Sequence, residues 1–418
     1  MLASRLGARL GAMGRAAVQK GVVNGMSVRC IGTGVLGNSY GLTEDQVMLQ
    51  DMADKFAEKE LLPFAAEWDE NKFFPEETLR KAAEMGLGGV FVSEEFGGSG
   101  LGRVDGAVIF ESLSRGCTST TAYLTIHNMC AYILDKFGSD ELKGRFLGEM
   151  CSLDKFSSYC LTEPGSGSDA ASLSTRAELS ADGKHYVLNG SKAFISGGGR
   201  SDVYFVMVRT GDSSPGGITC ILVEAGTPGL EFGAQENKLG WNSQPTCAVI
   251  FEDCKVPVEN VLGEIGSGFK IAMAGLDGGR LSIGTCSIGA ASRCLEVARE
   301  HVLVREQFGK PLSANQHIQF KLADMATELQ AGRLMIRNAA HMMDQNDPDK
   351  TAFCAMAKRY ATDAGMSVCN DALQLLGGYG YLKDYNVERY LRDARVHQIL
   401  EGTNEIMRLI ISRSVLKS

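Results

Sequence analysis

The stretch Val396-His397-Gln398-Ile399-Leu400-Glu401-Gly402-Thr403-Asn404-Glu405 sets a carboxylate behind an apolar run and directly before a glycine. Partial desolvation there disfavours the charged form of Glu401 and raises its pKa. A carboxylate tuned upward in this way can accept a proton near neutral pH as a general base. Gly402 permits a tight backbone turn beside it. The same residues also read as the lead-in to a C-terminal helix, with Glu401 at or before its cap. This stretch alone leaves both readings open.

Four other stretches suit a planar, phosphate-bearing ligand. Tyr159-Cys160-Leu161-Thr162-Glu163-Pro164-Gly165-Ser166-Gly167-Ser168-Asp169 is rich in small residues and hydroxyls, which expose backbone N–H groups to a ring held edge-on. An ordinary loop has the same composition. Asn189-Gly190-Ser191-Lys192-Ala193-Phe194-Ile195-Ser196 reads as a turn followed by an aromatic and a hydroxyl. Phe194 can stack on a ring or fill a core, and Ser196 can hydrogen-bond. Arg305-Glu306-Gln307-Phe308-Gly309-Lys310-Pro311-Leu312 offers a guanidinium for a phosphate and an aromatic for a base. Gly377-Gly378-Tyr379-Gly380 lets backbone approach an anion closely.

These stretches need elements to hold them. Thr43-Glu44-Asp45-Gln46 reads as a capping box, and Leu49, Met52 and Phe56 recur at helical spacing, so a helix is expected from about Thr43 toward Pro63. A second is expected from Pro75 to Gly86. Phe96–Gly102 reads as a glycine-rich connection, followed by helices over 105–115 and 119–137. His127 in the latter is expected to be a core or subunit-contact residue. From about residue 155 the pattern changes to short β-branched and aromatic runs at 184–188, 203–208, 218–223 and 247–251, separated by turn residues. Helical patterning returns over 281–306, 315–344, 350–376 and 384–395, with Gly377-Gly378 closing the third helix. The expected fold class is α+β, mainly α: an N-terminal helical domain (43–155), a central antiparallel β-domain (156–268) and a C-terminal four-helix bundle (269–418).

Composition narrows the function classes. The first 43 residues carry Arg5, Arg9, Arg15, Lys20 and Arg29 and no acidic residue, the pattern of a mitochondrial transit peptide over 1–42. Removing those five cations takes the formal net charge from −8 to −13, which argues against nucleic acid as a partner. No apolar run is long enough to span a bilayer. The 12 cysteines include no C-x-x-C pair and the 6 histidines show no ligand spacing, so reduced thiols and no metal site are expected.

Leu161–Asp169, Arg305–Pro311, Gly377–Gly380 and Glu401–Asn404 stand in order, and together resemble the acyl-CoA dehydrogenase family of flavoenzymes over 43–418. The resemblance implies FAD as cofactor and removal of two hydrogens from an acyl-CoA thioester: the α hydrogen as a proton to Glu401, the β hydrogen as a hydride to flavin N5. It implies that Tyr159, Cys160, Leu161, Thr162, Glu163, Pro164, Gly165, Ser166, Gly167 and Ser168 line the flavin, with Ser168 also touching CoA. Phe194, Ile195 and Ser196 are then set against the isoalloxazine ring, and Thr403, Asn404 and Glu405 complete that site. Arg305, Phe308, Asn315, Gln316 and the Gln374-Leu375-Leu376-Gly377-Gly378 segment are expected to reach FAD phosphates and adenosine across a subunit boundary. Asp277, Gly278, Gly279, Arg280 and Arg413 are expected to contact substrate. Some family members carry the base at the position of Gly279, which here cannot take a proton.

Within the family, Gly116–Tyr123, Gly240-Trp241-Asn242-Ser243-Gln244-Pro245-Thr246 and Val396–Glu401 point to the short branched-chain substrates, isobutyryl-CoA of valine breakdown first. 2-Methylbutyryl-CoA or butyryl-CoA is the alternative, and a non-catalytic assembly relative is the reading from another class. The resemblance also implies a homotetramer, electron-transferring flavoprotein as electron acceptor, and the mitochondrial matrix as location.

Overall fold

A computed structural model describes residues 37–417. The expected transit segment therefore lies largely outside the described residues. Residues 38–40 already rest on the bundle: Asn38 is buried, and Arg337 donates to the carbonyl oxygens of Asn38 and Tyr40.

The N-terminal layer is helical: α1 (Glu44–Phe56), α2 (Ala65–Asn71), α3 (Glu76–Ala83), α4 (Arg103–Gly116), α5 (Thr118–Phe137) and α6 (Asp140–Cys151). The Thr43 capping box forms as the sequence indicates, with Thr43 and Gln46 satisfying each other's backbone N–H groups. A π-turn over Ala57–Leu61 extends α1. Helix α6 was not among the expected helices. His127 on α5 is fully buried: Nε2 donates to the Met150 carbonyl at 2.9 Å, and Nδ1 accepts from the Ser157 N–H. Burial holds its pKa down at about 4, so it is a neutral core residue.

The central sheet contains β1 (Ser157–Cys160), β2 (Arg176–Leu179), β3 (His185–Ser196), β4 (Val203–Arg209), β5 (Ile218–Glu224), β6 (Leu230–Phe232), β7 (Thr246–Pro257) and β8 (Val261–Leu262). Their order is β6-β7-β3-β2-β4-β5-β8, with β1 against β4. Contrary to a purely antiparallel reading, β1 runs parallel to β4, and β2 meets β4 in parallel at one residue pair. Parallel pairing fits β4, which is buried on both faces. Val203, Phe205 and Met207 enter the core shared with α5 and α6, while Tyr204, Val206 and Val208 enter the core of the sheet.

Asn189-Gly190 is not a turn. It lies inside β3, where the register with β7 shifts between Leu188 and Gly190. Gly190 has φ 142° and backs onto Thr175, a bulge that a residue with a Cβ cannot make.

The C-terminal bundle is built on α7 (Gly268–Val304), with α8 (Gln316–Asp344), α9 (Lys350–Leu376) and α10 (Val387–His397), closed by α11 (Asn404–Val415). A small hairpin, β9 (Glu306–Gln307) with β10 (Lys310–Pro311), joins α7 to α8. Helix α7 begins thirteen residues before the expected start at 281. Its glycines lower intrinsic helix propensity. Packing against α4, α5 and α9 overrides that preference. Among the described residues no helix is long and apolar enough to cross a membrane, and no cluster could hold a metal ion.

Candidate active site

Glu401 follows α10 and precedes α11. It does not cap α11: Thr403 does, its hydroxyl accepting from the Ile406 N–H. Glu401 and Gly402 are both left-handed, at φ 56° and 86°. A glutamate in that region is uncommon and points to a constrained site. The turn aims the carboxylate at α7. A Cβ built on Gly279 would lie 2.4 Å from Glu401 Oε2 and 2.9 Å from Oε1. The two positions at which the resemblance places a base therefore converge on one point in space, and the missing side chain at 279 leaves room for the carboxylate from 401.

The carboxylate is poorly solvated. Although the residue retains some exposed surface, Oε2 is buried and has no hydrogen-bond partner. Burial raises the Glu401 pKa from 4.5 to about 7, with Arg280 and Lys358 pulling against it. That is the value a base needs to be both available and strong at neutral pH.

Two buried cations frame the turn. Arg280 Nε reaches the Glu401 carbonyl at 3.4 Å, while its NH1 pairs with Asp277 at 2.6 Å. Asp277 also accepts from Thr351 Oγ1 at 2.7 Å. Lys358 Nζ donates to the Gly402 carbonyl at 2.8 Å. The side chains of Asp277 and Arg280 are thus engaged within the protein. Gly278 faces the buried Arg103 guanidinium. Arg413 is exposed near the far end of α11, about 15 Å along the helix axis from Thr403.

The loop after β1 and the end of β3 are brought together, since the Ala193 N–H donates to the Thr162 carbonyl at 2.9 Å. A second bulge between Lys192 and Ile195 turns Phe194 outward, at φ 59° and 68 % exposed, while Lys192 is turned inward and is fully buried. Phe194 is therefore a presented ring, not a core residue. Pro164, Gly165, Gly167 and Ser168 are exposed at the loop tip. Tyr159 ties this loop to the Glu401 turn: its hydroxyl reaches the Ala272 carbonyl of α7 at 3.4 Å, and the Glu401 carboxylate is among the charges acting on it.

Several expected flavin residues point elsewhere. Cys160 and Ile195 are buried in the sheet core and offer only backbone. Glu163 receives Lys192 Nζ at 2.7 Å, the Ser174 N–H and hydroxyl at 2.7 and 2.8 Å, and the Thr175 N–H at 2.9 Å. Its carboxylate anchors the loop from within. Asn404 is buried, with its side-chain amide bound to Thr362, Asp363 and Lys358. Glu405 is exposed beside Arg408.

Several of the remaining expected residues line a separate groove of about 660 Å³. Arg305, Gln374, Gly377 and Gly378 share it with His301, Lys321 and Tyr379, whereas the side chains of Leu375 and Leu376 pack into the bundle core. Phe308 is fully exposed at the tip of the β9–β10 hairpin, Asn315 caps α8, and Gln316 is exposed at its first turn. Arg305 ends the helix on which Gly279 lies, 26 residues on, which is about 39 Å. The groove and the Glu401 carboxylate are therefore two distinct places on one chain.

Sequence reasoning missed Lys358. Its signal was a lysine in phase with the buried stripe Cys354–Ala361–Gly365 of α9. It also missed that two of the stretches it singled out meet: Trp241 Nε1 donates to His397 Nε2 at 3.1 Å, and His397 Nδ1 bonds Ser287 of α7 at 2.7 Å. Because Trp241 can only donate, His397 carries its proton on Nδ1. Burial pushes its pKa down to about 3, so it stays neutral.

Gly279→Ala is expected to preserve or raise thermal stability, since alanine is favoured over glycine within a helix by about 1 kcal/mol. The new methyl displaces the carboxylate, and turnover is expected to drop about 10²-fold, as for a misplacement of order 1 Å. Melting temperature and kcat on the same preparation check this; unchanged kcat would separate Glu401 from the chemistry.

Comparison with known proteins identifies the family. The family models described as acyl-CoA dehydrogenase N-terminal, middle and C-terminal domains match residues 43–154, 158–254 and 266–416. The chain is 58 % identical to a Bos taurus protein named mitochondrial isobutyryl-CoA dehydrogenase, over 91 % of each chain. A Dictyostelium discoideum protein of the same name is 59 % identical over the same shares. The solved structure of butyryl-CoA dehydrogenase from Megasphaera elsdenii superposes with a TM-score of 0.87 at 38 % identity, covering 90 % of this chain and 99 % of that one. Matched by all three family models and 58–59 % identical to the Bos taurus and Dictyostelium discoideum relatives over 91 % of its length, the chain belongs to the acyl-CoA dehydrogenase family of FAD-dependent oxidoreductases.

Proposed function

We propose that the chain catalyses α,β-dehydrogenation of a short branched-chain acyl-CoA, isobutyryl-CoA to methacrylyl-CoA, with Glu401 as the base. The observation that carries this reading is the buried, unpartnered Oε2 of Glu401, lodged against Gly279 with its pKa near 7. A thioester α-proton is only weakly acidic, so a carboxylate solvated as in water would be too weak a base. Desolvation strengthens it, and the flanking cations keep enough of it ionised.

The residues present fit a flavin. An outward aromatic, Phe194, stands beside the exposed glycine tips of the 163–168 loop, and Tyr159 links both to the base. Tyr159–Ser168, Phe194–Ser196 and Thr403 would hold the ring, partly through backbone where side chains are buried. Bound FAD supplies the hydride acceptor at N5. The chain's own part is to orient the thioester, keep water from Glu401 and receive the α-proton on its carboxylate.

The distance of about 39 Å between Gly279 and Arg305 exceeds the length of an extended flavin dinucleotide. Arg305, Phe308, Asn315, Gln316 and the Gln374–Gly378 backbone would therefore serve the FAD of a second copy, which supports a homo-oligomer, in this family a tetramer. Electron-transferring flavoprotein is the expected electron acceptor. The mitochondrial names of the relatives and the basic N-terminal segment support the mitochondrial matrix.

Comparing kcat/KM for isobutyryl-CoA, butyryl-CoA and isovaleryl-CoA tests the substrate. One methyl or methylene in an apolar pocket discriminates by about 1–3 kcal/mol, or roughly 10–200-fold. Isobutyryl-CoA is expected to lead by a factor in that range; a lead for butyryl-CoA would move the chain to the straight short-chain members.

A further inference from the structure

Beneath the Glu401–Gly402 turn lies a buried charge whose hydrogen bonds the reaction as described does not explain. Lys358 sits about a third of the way along α9 with its side chain fully buried. Nζ donates to the Gly402 carbonyl at 2.8 Å and to Asn404 Oδ1 at 2.9 Å. Both acceptors are neutral, and among the described residues no carboxylate lies within 4.0 Å of Nζ. The other buried cation at this turn, Arg280, already has Asp277 as its own partner. A dry ammonium without an anion is costly to bury, and an apolar side chain would pack this stripe at lower cost.

The geometry points to Lys358 as a positioning residue: it clamps the carbonyl that follows the base, holding Glu401 in its left-handed turn, and is the counter-charge for the carboxylate once ionised. This rests on Glu401 being the base. Asn404 is the other half of the clamp. Its amide nitrogen donates to Thr362 Oγ1 at 3.0 Å and to Asp363 Oδ1 at 2.7 Å, which fixes Oδ1 toward Nζ.

The groups acting on each partner are few. Around Glu401 they are Arg280 from α7 and Lys358 from α9, with the neutral Tyr159 of β1 and Cys130 of α5 alongside. Around Lys358 they are Glu401, Arg280, Asp363 and Glu405. Burial lowers the Lys358 pKa to about 8, with the Glu401 charge opposing that shift. Lys358 therefore holds its proton to a higher pH than Glu401 does.

Two neutral variants separate charge from clamp: Lys358→Gln keeps a donor for Gly402, and Lys358→Met does not. The readouts are the pH profile of kcat/KM on FAD-loaded enzyme and the infrared carbonyl band of protonated Glu401, assigned by its loss in Glu401→Gln. Both variants are expected to move the acid limb and the band upward by about one pH unit, the lower range for loss of a nearby opposite charge. At pH 6 that is roughly a tenfold loss of rate relative to the wild type. Lys358→Met is expected to lose kcat at pH 9 as well, where the base is ionised but the turn is loosened.

A limb and band unmoved in either folded variant would overturn the assignment. If neither neutral variant folds while Lys358→Arg does, Lys358 serves stability alone, and the assignment is likewise overturned. Turnover retained by Glu401→Gln would instead remove the base itself, so the two failures are distinguishable.

Discussion

Glu401→Gln is expected to retain its FAD and to lose at least about 10²-fold in turnover with isobutyryl-CoA, the lower range for a positioned base. The amide matches the carboxylate in size and cannot accept the proton. In the wild-type enzyme kcat/KM should rise with pH through an acid limb near 7, where Glu401 ionises, and the residual rate of the variant should lack that limb. Stability should move the other way. The folded chain holds a proton on Glu401 up to about pH 7, whereas the unfolded chain releases it near 4.5. The stability this contributes is complete below 4.5 and is lost as pH rises through 7. The glutamine carries no such pH-dependent loss. Its melting temperature relative to the wild type should therefore climb between pH 4.5 and 8, and thermal melts across that range check this. A gap that stayed flat would mean that the carboxylate is not desolvated as described.

Lys192→Met is expected to destabilise the protein by about 3–5 kcal/mol, the range for removing one partner of a buried ion pair. Glu163 and Lys192 are almost fully buried and 2.7 Å apart. Burial alone would raise the Glu163 pKa, but the Lys192 charge and hydrogen bond, with those of Ser174 and Thr175, overcome it and hold the carboxyl at about 2. Methionine leaves that carboxylate desolvated without a cation. Because Glu163 anchors the 159–168 loop, flavin content should fall with stability, measurable as flavin absorbance per subunit. The pH dependence has a definite sign. A carboxyl depressed in the folded state stabilises above its unfolded pKa of about 4.5, and that contribution disappears as pH falls toward 2. The stability gap between the wild type and Lys192→Met should accordingly be widest at neutral pH and narrow on acidification. A variant as stable as the wild type at pH 7 would show that the three remaining donors suffice.

The layering of helices, sheet and helices was legible because it rests on local signals. The Thr43–Gln46 capping box and the Gly377 stop act within a few residues of themselves, and they form as expected. Asn189-Gly190 was misread for the opposite reason. The dipeptide is a strong turn signal in isolation. Here β7 and β2 pair with β3 on its two sides, and the extra residue becomes a bulge. The true start of α7 was hidden by Gly275, Gly278 and Gly279, whose small size serves neighbours far away in the sequence.

The site was legible in its chemistry and not in its supports. A carboxylate behind an apolar run, followed by glycine, makes Glu401 a candidate, though the stretch alone allows a helix lead-in as well. Nothing near it announces that it will lie against Gly279, or that a lysine of α9 will hold the next carbonyl. Asn404 and Glu163 show the limit from the other side. They stand in motifs that mark a ligand site, yet their side chains are spent inside the protein, keeping the backbone that carries the site in place.

The most direct measurement is a crystal structure of the dithionite-reduced, FAD-loaded enzyme with isobutyryl-CoA, in which no electrons can move. The expected result is a Glu401 carboxylate oxygen about 3–3.5 Å from the thioester α-carbon, with the isoalloxazine on the opposite face of the acyl group. A carboxylate turned away from the acyl group, with another ionisable side chain at the α-carbon, would contradict it.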